Sequence, residues 1–398
     1  MPQPTPAVRR LPLPEFIAML AFLFATVAFS IDAMLPALPE IALAVTPDNV
    51  NRAQLVLTSF VGGMGVGTLF AGPIADAIGR KLTITLGFII FGLAATAAIF
   101  ANTLEALLIA RFVQGIGSAA PRIVGLALVR DLYEGREMAR ISSFVMMIFI
   151  LIPAMAPALG QGIIWMAGWH GVFVAFVLFA IVGSLWLNIR QPETLPPANR
   201  RPLRLPLLIA GAREVLADRQ VMLSTLVLTL GFAQMFGLLS SAQQLFGEAY
   251  GKGAQFPAWF AAMALLSGIG TILNAKYVMT IGMRRIAAWA YAMQVVMSGI
   301  ALMLVLTGNL TFPLFFIWAV SVFFMAGVTF GNLNALALQR MGHIAGMAAS
   351  IVAALSTLAS VLIAAPVGLL YNGTALPAVA ATLICSTLAL ILMRQLRD

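Results

Sequence analysis

Three charged side chains of this chain stand where charge is costly, inside long apolar stretches. Asp32 is the only acid well within such a stretch, and Arg111 lies within another. An ionisable group in hydrocarbon costs a few kcal/mol or more, so it normally faces a cavity or a partner. The chemistry open to the carboxyl group is proton carriage. Burial favours the neutral acid and a neighbouring guanidinium favours the carboxylate, so a change of surroundings moves the proton. With a rise of about 1.5 Å per residue, Asp32 lies roughly 6 Å in from Pro36, and Arg111 roughly 9 Å in from Glu105 on a segment running the opposite way. Equal depth puts the two within reach of each other, either as a proton-coupling pair or as a structural ion pair between their segments. Arg122 follows Arg111 by eleven residues, three helical turns plus about 20°, on nearly the same face and deeper. It reads as a cavity residue. The competing reading is a snorkelling side chain, although Arg130 marks the helix end about 12 Å away and an Arg stem covers only part of that distance. Gln234, Asn274, Asn332 and Asn334 are the polar candidates of the second half, as substrate contacts or as hydrogen bonds between helices.

The elements that must position these residues follow from composition. With 61% of residues apolar and 9% charged, a soluble globular chain is excluded and a polytopic membrane protein is required. At about 20 apolar residues per crossing plus short loops, the length holds about twelve helices. A net charge of +9 could point to nucleic acid, but the cations sit in loops beside apolar spans. They serve as topology signals and as contacts to anionic lipid, with no nucleic-acid partner expected. Cys385 is a single thiol, so no disulfide, zinc or redox motif forms. His170 and His343 fall in separate loops on opposite sides, no carboxylate pair lies within the spans, and no nucleophile–base constellation or phosphate loop is present. An enzyme is therefore not expected, nor a metal, nor any cofactor beyond a proton gradient.

In chain order, residues 1–13 form a Pro-rich arm with Arg9 and Arg10. An uncleaved first span follows from about Glu15 to Pro36, too long for a signal peptide's apolar region and without a small-residue cleavage site. Five more spans are predicted at about 53–76, 82–100, 105–130, 139–165 and 170–189, which closes a first unit over 14–189. Residues 190–219 hold five prolines and six arginines, too polar to cross, and form a cytoplasmic linker in which Leu207 to Ala217 is expected as a surface helix. The second unit, 220–398, has spans at about 220–246, 256–279, 285–306, 311–336, 344–371 and 375–393. With both termini cytoplasmic, the outward loops carry only Arg52 and Lys252, as short outward loops should.

The junction of spans 2 and 3 reads Gly72-Pro-Ile-Ala-Asp76-Ala-Ile-Gly79-Arg80-Lys81: an acid, a glycine turn and two cations after an apolar span. It resembles, almost position by position, the loop 2–3 motif of the major facilitator superfamily. Span 4 carries Arg111-Phe-Val-Gln114-Gly-Ile-Gly and closes on Arg130-Asp131, similar to the superfamily's second motif. Span 5 carries Pro153-Ala-Met-Ala-Pro157-Ala-Leu-Gly160-Gln-Gly, similar to the Pro/Gly motif associated with antiporters. Together with Ser30-Ile-Asp-Ala-Met-Leu-Pro at the end of span 1, these resemble the Bcr/CflA branch of twelve-span drug:proton antiporters. The resemblance implies an all-α membrane fold of twelve transmembrane helices in two six-helix bundles related by a pseudo-two-fold. Gly282-Met-Arg-Arg285 after span 8 answers Gly79-Arg-Lys81, and Pro366 answers Pro157, at offsets of 203 and 209 residues. Met279 stands where Asp76 stands in the first copy, so an acid-dependent latch belongs to the first half alone. The resemblance further implies proton coupling through Asp32 and Arg111 and a latch of Asp76, Arg80 and Asp131 in which Asp76 faces a helix N-terminus of the other half. Arg122 is not part of the motif, and with Gln114 it is the first half's candidate for the substrate cavity. The expected protein is a monomeric exporter of small amphiphiles in the bacterial inner membrane, exchanging substrate for protons. Uptake by proton symport is the alternative.

Overall fold

The computed structural model describes residues 11–203 and 205–396, with backbone alone at 136, 139, 140, 142–150, 205 and 207. The arm's Arg9 and Arg10 lie outside the described residues. Among those described, eleven helical segments are long and apolar enough to cross a membrane, and one of them holds two crossings. That one is Gly135–Arg190, broken at Gly168, whose φ of 64° and ψ of −175° no helix contains. Glu40 accepts the freed N–H of Trp169 at 3.1 Å and starts the second piece. Spans 5 and 6 are thus 135–167 and 169–190, with the predicted gap between them at the glycine.

The other spans are Leu13–Asp32, Leu55–Ile78, Arg80–Ile99 and Leu104–Leu132 in the first half. In the second they are Arg219–Gln244, Phe256–Ile281, Met283–Leu306, Phe312–Leu338, Ala345–Leu369 and Leu376–Met393. Span 1 departs from its predicted end at Pro36. After Asp32 the chain turns through Leu35–Ala37 and resumes as Leu38–Val45, so the apolar element runs from Leu13 to Val45. Pro36 and Pro39 sit in the first turns of these short helices, where a missing N–H costs nothing, and therefore start helix rather than stop it. Asp32 is consequently deeper than the roughly 6 Å expected from Pro36 at about 1.5 Å per residue.

Packing repeats between the halves. Span 4 lies on spans 2 and 3 as span 10 lies on spans 8 and 9, and span 3 meets Gly135–Arg190 as span 9 meets span 12. Across the halves, span 2 packs on span 11 and Gly135–Arg190 packs on span 8. The turn after span 2 and the turn after span 8 share one backbone: Gly79 has φ 106°, ψ 160° and Gly282 has φ 91°, ψ 146°, a region that side chains with a Cβ rarely enter. Span 4 approaches its neighbours through glycine. A Cβ on Gly115 would overlap the Phe60 carbonyl oxygen, and one on Gly117 would sit 2.6 Å from the Gly87 oxygen. These contacts fix span 4, and with it Arg111, against spans 2 and 3.

The linker helix is Leu205–Ala217, near its predicted bounds, but it is more than a membrane-surface helix. Val215 is buried, Gly211 lies over Met347 of span 11, and Glu214 meets His343 at 2.7 Å.

Candidate functional site

Arg111 is wholly buried, and its surroundings explain how. The helix of span 1 ends at Asp32, so its last carbonyls lack intrahelical partners. Arg111 Nη2 donates to one of them, Ser30 O, at 3.0 Å, and Nε donates to Val56 O of span 2 at 3.4 Å. Nη1 donates to Gln114 Oε1 at 2.7 Å, and the guanidinium stacks on the Phe60 ring 4.3 Å from its centroid. A cation at the negative end of a helix dipole, with oxygen partners and an aromatic face, is a satisfied buried charge. The expected interaction with Asp32 is therefore indirect. Arg111 and Asp32 form no ion pair; the guanidinium holds the carbonyl two residues before the acid. Asp32 is 5% exposed, and among the described residues its carboxyl group pairs with no cation. Gly160 of span 5 lets that helix approach the same turn, since a Cβ there would overlap the Ala33 oxygen.

Gln114 spends its oxygen on Arg111 and leaves its buried Nε2 without a partner. Arg122 is half-buried and donates to Met64 Sδ of span 2 at 3.6 Å. Arg111 and Arg122 both turn toward span 2, as the eleven-residue spacing requires, and Arg122 has no carboxylate partner among the described residues. The second-half candidates make hydrogen bonds between and within helices. Gln234 accepts from Ser386 Oγ of span 12 at 2.8 Å, and Asn332 donates to Asn274 Oδ1 of span 8 at 2.7 Å. Asn334 donates to the carbonyl of Phe330 on its own helix.

The loop 2–3 motif comes together around Arg80. Its guanidinium pairs with Asp76 one turn back and with Asp131 at 3.0 Å. The side chain of Asp76 bonds to Arg80, and its backbone oxygen accepts from Arg201 N at 2.9 Å; among the described residues no hydrogen bond joins it to a helix of the other half. The helix end that receives a carboxylate is that of span 3, and the carboxylate is Glu193 of the linker. Glu193 accepts from Arg80 N at 3.0 Å and Lys81 N at 3.1 Å, and lies against Gly79 where a side chain would collide. Thr194 adds a hydrogen bond to Asp131 at 2.8 Å, and Lys81 Nζ donates to Asn188 O at 2.8 Å. Gly72 faces Ser350 of span 11. Pro153 and Pro157 sit inside the helix of span 5.

On the opposite face lies a group that sequence reasoning missed. Asn51 Nδ2 donates to Leu369 O at 3.1 Å and Tyr371 O at 2.8 Å, while Gln244 Nε2 donates to Asn51 Oδ1 at 2.8 Å. Tyr371 Oη in turn donates to Gln244 O at 3.3 Å. A single asparagine after span 1 thus ties the first half to spans 7 and 11. No motif marks it. Glu193 had a weak signal, as the first of three acids in a basic, Pro-rich segment.

The profile of the Major Facilitator Superfamily matches residues 19–364. The chain belongs to that superfamily. A bicyclomycin resistance protein homolog of Haemophilus influenzae is 31% identical over 344 residues, covering 85% of this chain and 84% of that one. The multidrug resistance protein MdtL of Shewanella oneidensis is 30% identical over 241 residues, covering 60% of this chain and 59% of that one. These relatives match the Bcr/CflA-like branch that the motifs resemble. For the fold, the xylose transporter XylE of E. coli in a partially occluded inward-open conformation aligns with TM-score 0.72 at 12% identity, over 97% of this chain and 98% of that one. Superfamily membership makes this a multi-pass membrane transporter and not an enzyme. The twelve-helix fold expected from the sequence is the one found.

Proposed function

We propose that this superfamily member exports drugs or other small amphiphiles in exchange for protons. It would do so by alternating access, from the bacterial cytoplasmic membrane with both termini inside. The observation that carries the reading is Asp32: a buried carboxyl group, unpaired with any cation among the described residues, at the turn where span 1 breaks. Its neighbour Arg111 is satisfied by backbone oxygens and Gln114, so Asp32 is free to gain or lose a proton without breaking an ion pair. The relatives named for bicyclomycin and multidrug resistance support the substrate class. The units 14–189 and 220–398 are taken as the moving bodies. The Asn51 group fastens one face, and Asp76, Arg80, Asp131 and Glu193 order the other. One proton per cycle at an assumed 150 mV supplies roughly 3.5 kcal/mol, about a 300-fold gradient of a neutral substrate.

Selectivity follows from charge. Arg122 is half-buried without a carboxylate partner, and Gln114 Nε2 is a buried donor without an acceptor. Beside them a neutral or anionic amphiphile with acceptor oxygens is favoured, and a permanent cation is repelled by a few kcal/mol at an effective dielectric near 20. The test is flux in inverted membrane vesicles with a panel of neutral, acidic and cationic drugs. Proton-driven accumulation of neutral or acidic drugs, with cations gaining ground in Arg122→Ala, is the expected result. Accumulation in right-side-out vesicles instead would establish uptake, and undiminished cation export in both proteins would remove Arg122 from selectivity.

A further inference from the structure

We infer that the linker is a short leash, fastened to both halves, and that the few residues left between its two anchors limit how far the linker-side ends of the halves can part. A free chain of its length, 190–219, would reach roughly 100 Å at full stretch and would limit nothing. The structure leaves little of it free.

The first anchor belongs to the first half. Glu193 accepts from Arg80 N and Lys81 N at the start of span 3, and from Thr194 N at 2.9 Å and Leu195 N at 3.0 Å in its own segment. Gln191 and Thr194 are buried, and Thr194 donates to Asp131 at the end of span 4. Arg201 N donates to Asp76 O at the end of span 2, so the linker is tied to spans 2, 3 and 4 as far as Arg201. The second anchor belongs to the other half. The helix Leu205–Ala217 packs on spans 7 and 11, and its Val215 is wholly buried in a core with Val221, Met341 and Ala348. Directly after it, Asp218 accepts from Gln220 N at 2.8 Å and Val221 N at 3.0 Å and so starts span 7. Asp218 N donates back to Glu214 O at 3.3 Å, so the helix passes into span 7 without slack.

Only residues 202–204 lie between the anchors. Four steps of at most about 3.6 Å let Arg201 and Leu205 part by no more than about 14 Å. Pro202, with its φ fixed, shortens that reach further. Any wider separation requires an anchor to let go. This inference rests on the reading of the two halves as moving bodies and not on what is carried or on proton coupling.

The experiment is double electron–electron resonance on the full-length protein in lipid nanodiscs, in acidic and in alkaline buffer, without substrate. Nitroxides are placed at Arg130→Cys and Gly346→Cys after Cys385→Ser; both sites are exposed, one at the end of span 4 and one at the start of span 11. Ten Gly/Ser residues inserted between Pro202 and Leu203 turn the free stretch into a coil of about 20 Å r.m.s. span, so the longest distance should grow by about 5 Å or more. Glu193→Ala/Thr194→Ala, which loosens the first anchor at unchanged length, should lengthen it too, and reads the leash even where the insertion does not fold. The same insertion after Gly373, in an outward turn with open space around it, should leave the distances as in the parent. Distances that change between buffers but not with either linker variant would overturn the leash alone, as would an equal gain from the Gly373 insertion. One distance shared by every variant in both buffers would overturn it together with the reading of moving halves.

Discussion

Replacing Asn51 with alanine should open the face that it fastens. The side chain makes three hydrogen bonds to the other half: to Leu369 O at 3.1 Å, to Tyr371 O at 2.8 Å, and from Gln244 at 2.8 Å. A net bond contributes about 0.5–1.5 kcal/mol, and the first of these is solvent-exposed, so the group as a whole contributes about 2–3 kcal/mol to the closed state. These bonds exist only while the halves touch, so nearly all of that energy is differential between conformations. It corresponds to a shift of roughly 30- to 150-fold toward states open on that face. The assay is labelling of Thr58→Cys by a membrane-impermeant maleimide after the native Cys385 is replaced by serine. Thr58 is buried and lies one turn from Gln54, whose Cβ abuts Gly368 of span 11. Asn51→Ala should accelerate labelling by at least tenfold, with Asn51→Asp intermediate, because its oxygen can still accept from Gln244. A labelling rate within twofold of the parent would refute the reasoning and leave the asparagine as loop decoration.

Gly160→Ala should lower the melting temperature in detergent, since the new methyl overlaps the Ala33 oxygen and overpacking costs about 1–3 kcal/mol. Gly162→Ala, with open space around it, should leave it unchanged. Glu193→Ala should free the start of span 3 and the linker it pins, at a cost of about 1–2 kcal/mol for a lost cap. Trypsin should then cut faster after Arg200 and Arg201, and an unchanged cleavage rate would show that Glu193 does not order this face.

The crossings were legible because hydrophobic length and flanking cations report them directly, and the break between spans 5 and 6 was legible as a gap that Gly168 fills. The end of span 1 was not. Prolines read as stops in sequence, yet Pro36 and Pro39 occupy first turns, and only the burial of Leu35, Leu38 and Ile41 reveals that the element continues. Depth identified Arg111 and Asp32, but depth cannot name a partner. The oxygen that Arg111 takes is a backbone carbonyl made available by a helix end, and Ser30 carries no side-chain mark of it. Arg80 and Asp131 were placed together by motif resemblance, and Arg80, four residues ahead on the adjoining helix, also takes the side chain of Asp76. Asn51 and Glu193 act through contacts 320 and 113 residues away along the chain, which local pattern does not encode.

The central claim is that Asp32 carries the coupled proton. The direct measurement is substrate-induced proton movement across proteoliposomes containing purified protein and an internal pH-sensitive dye, with neutral drug added to one side. Wild type should move protons against the drug, and Asp32→Asn should move none while still exchanging labelled for unlabelled drug across the same membrane. Drug-induced proton movement of wild-type size in Asp32→Asn would contradict the account.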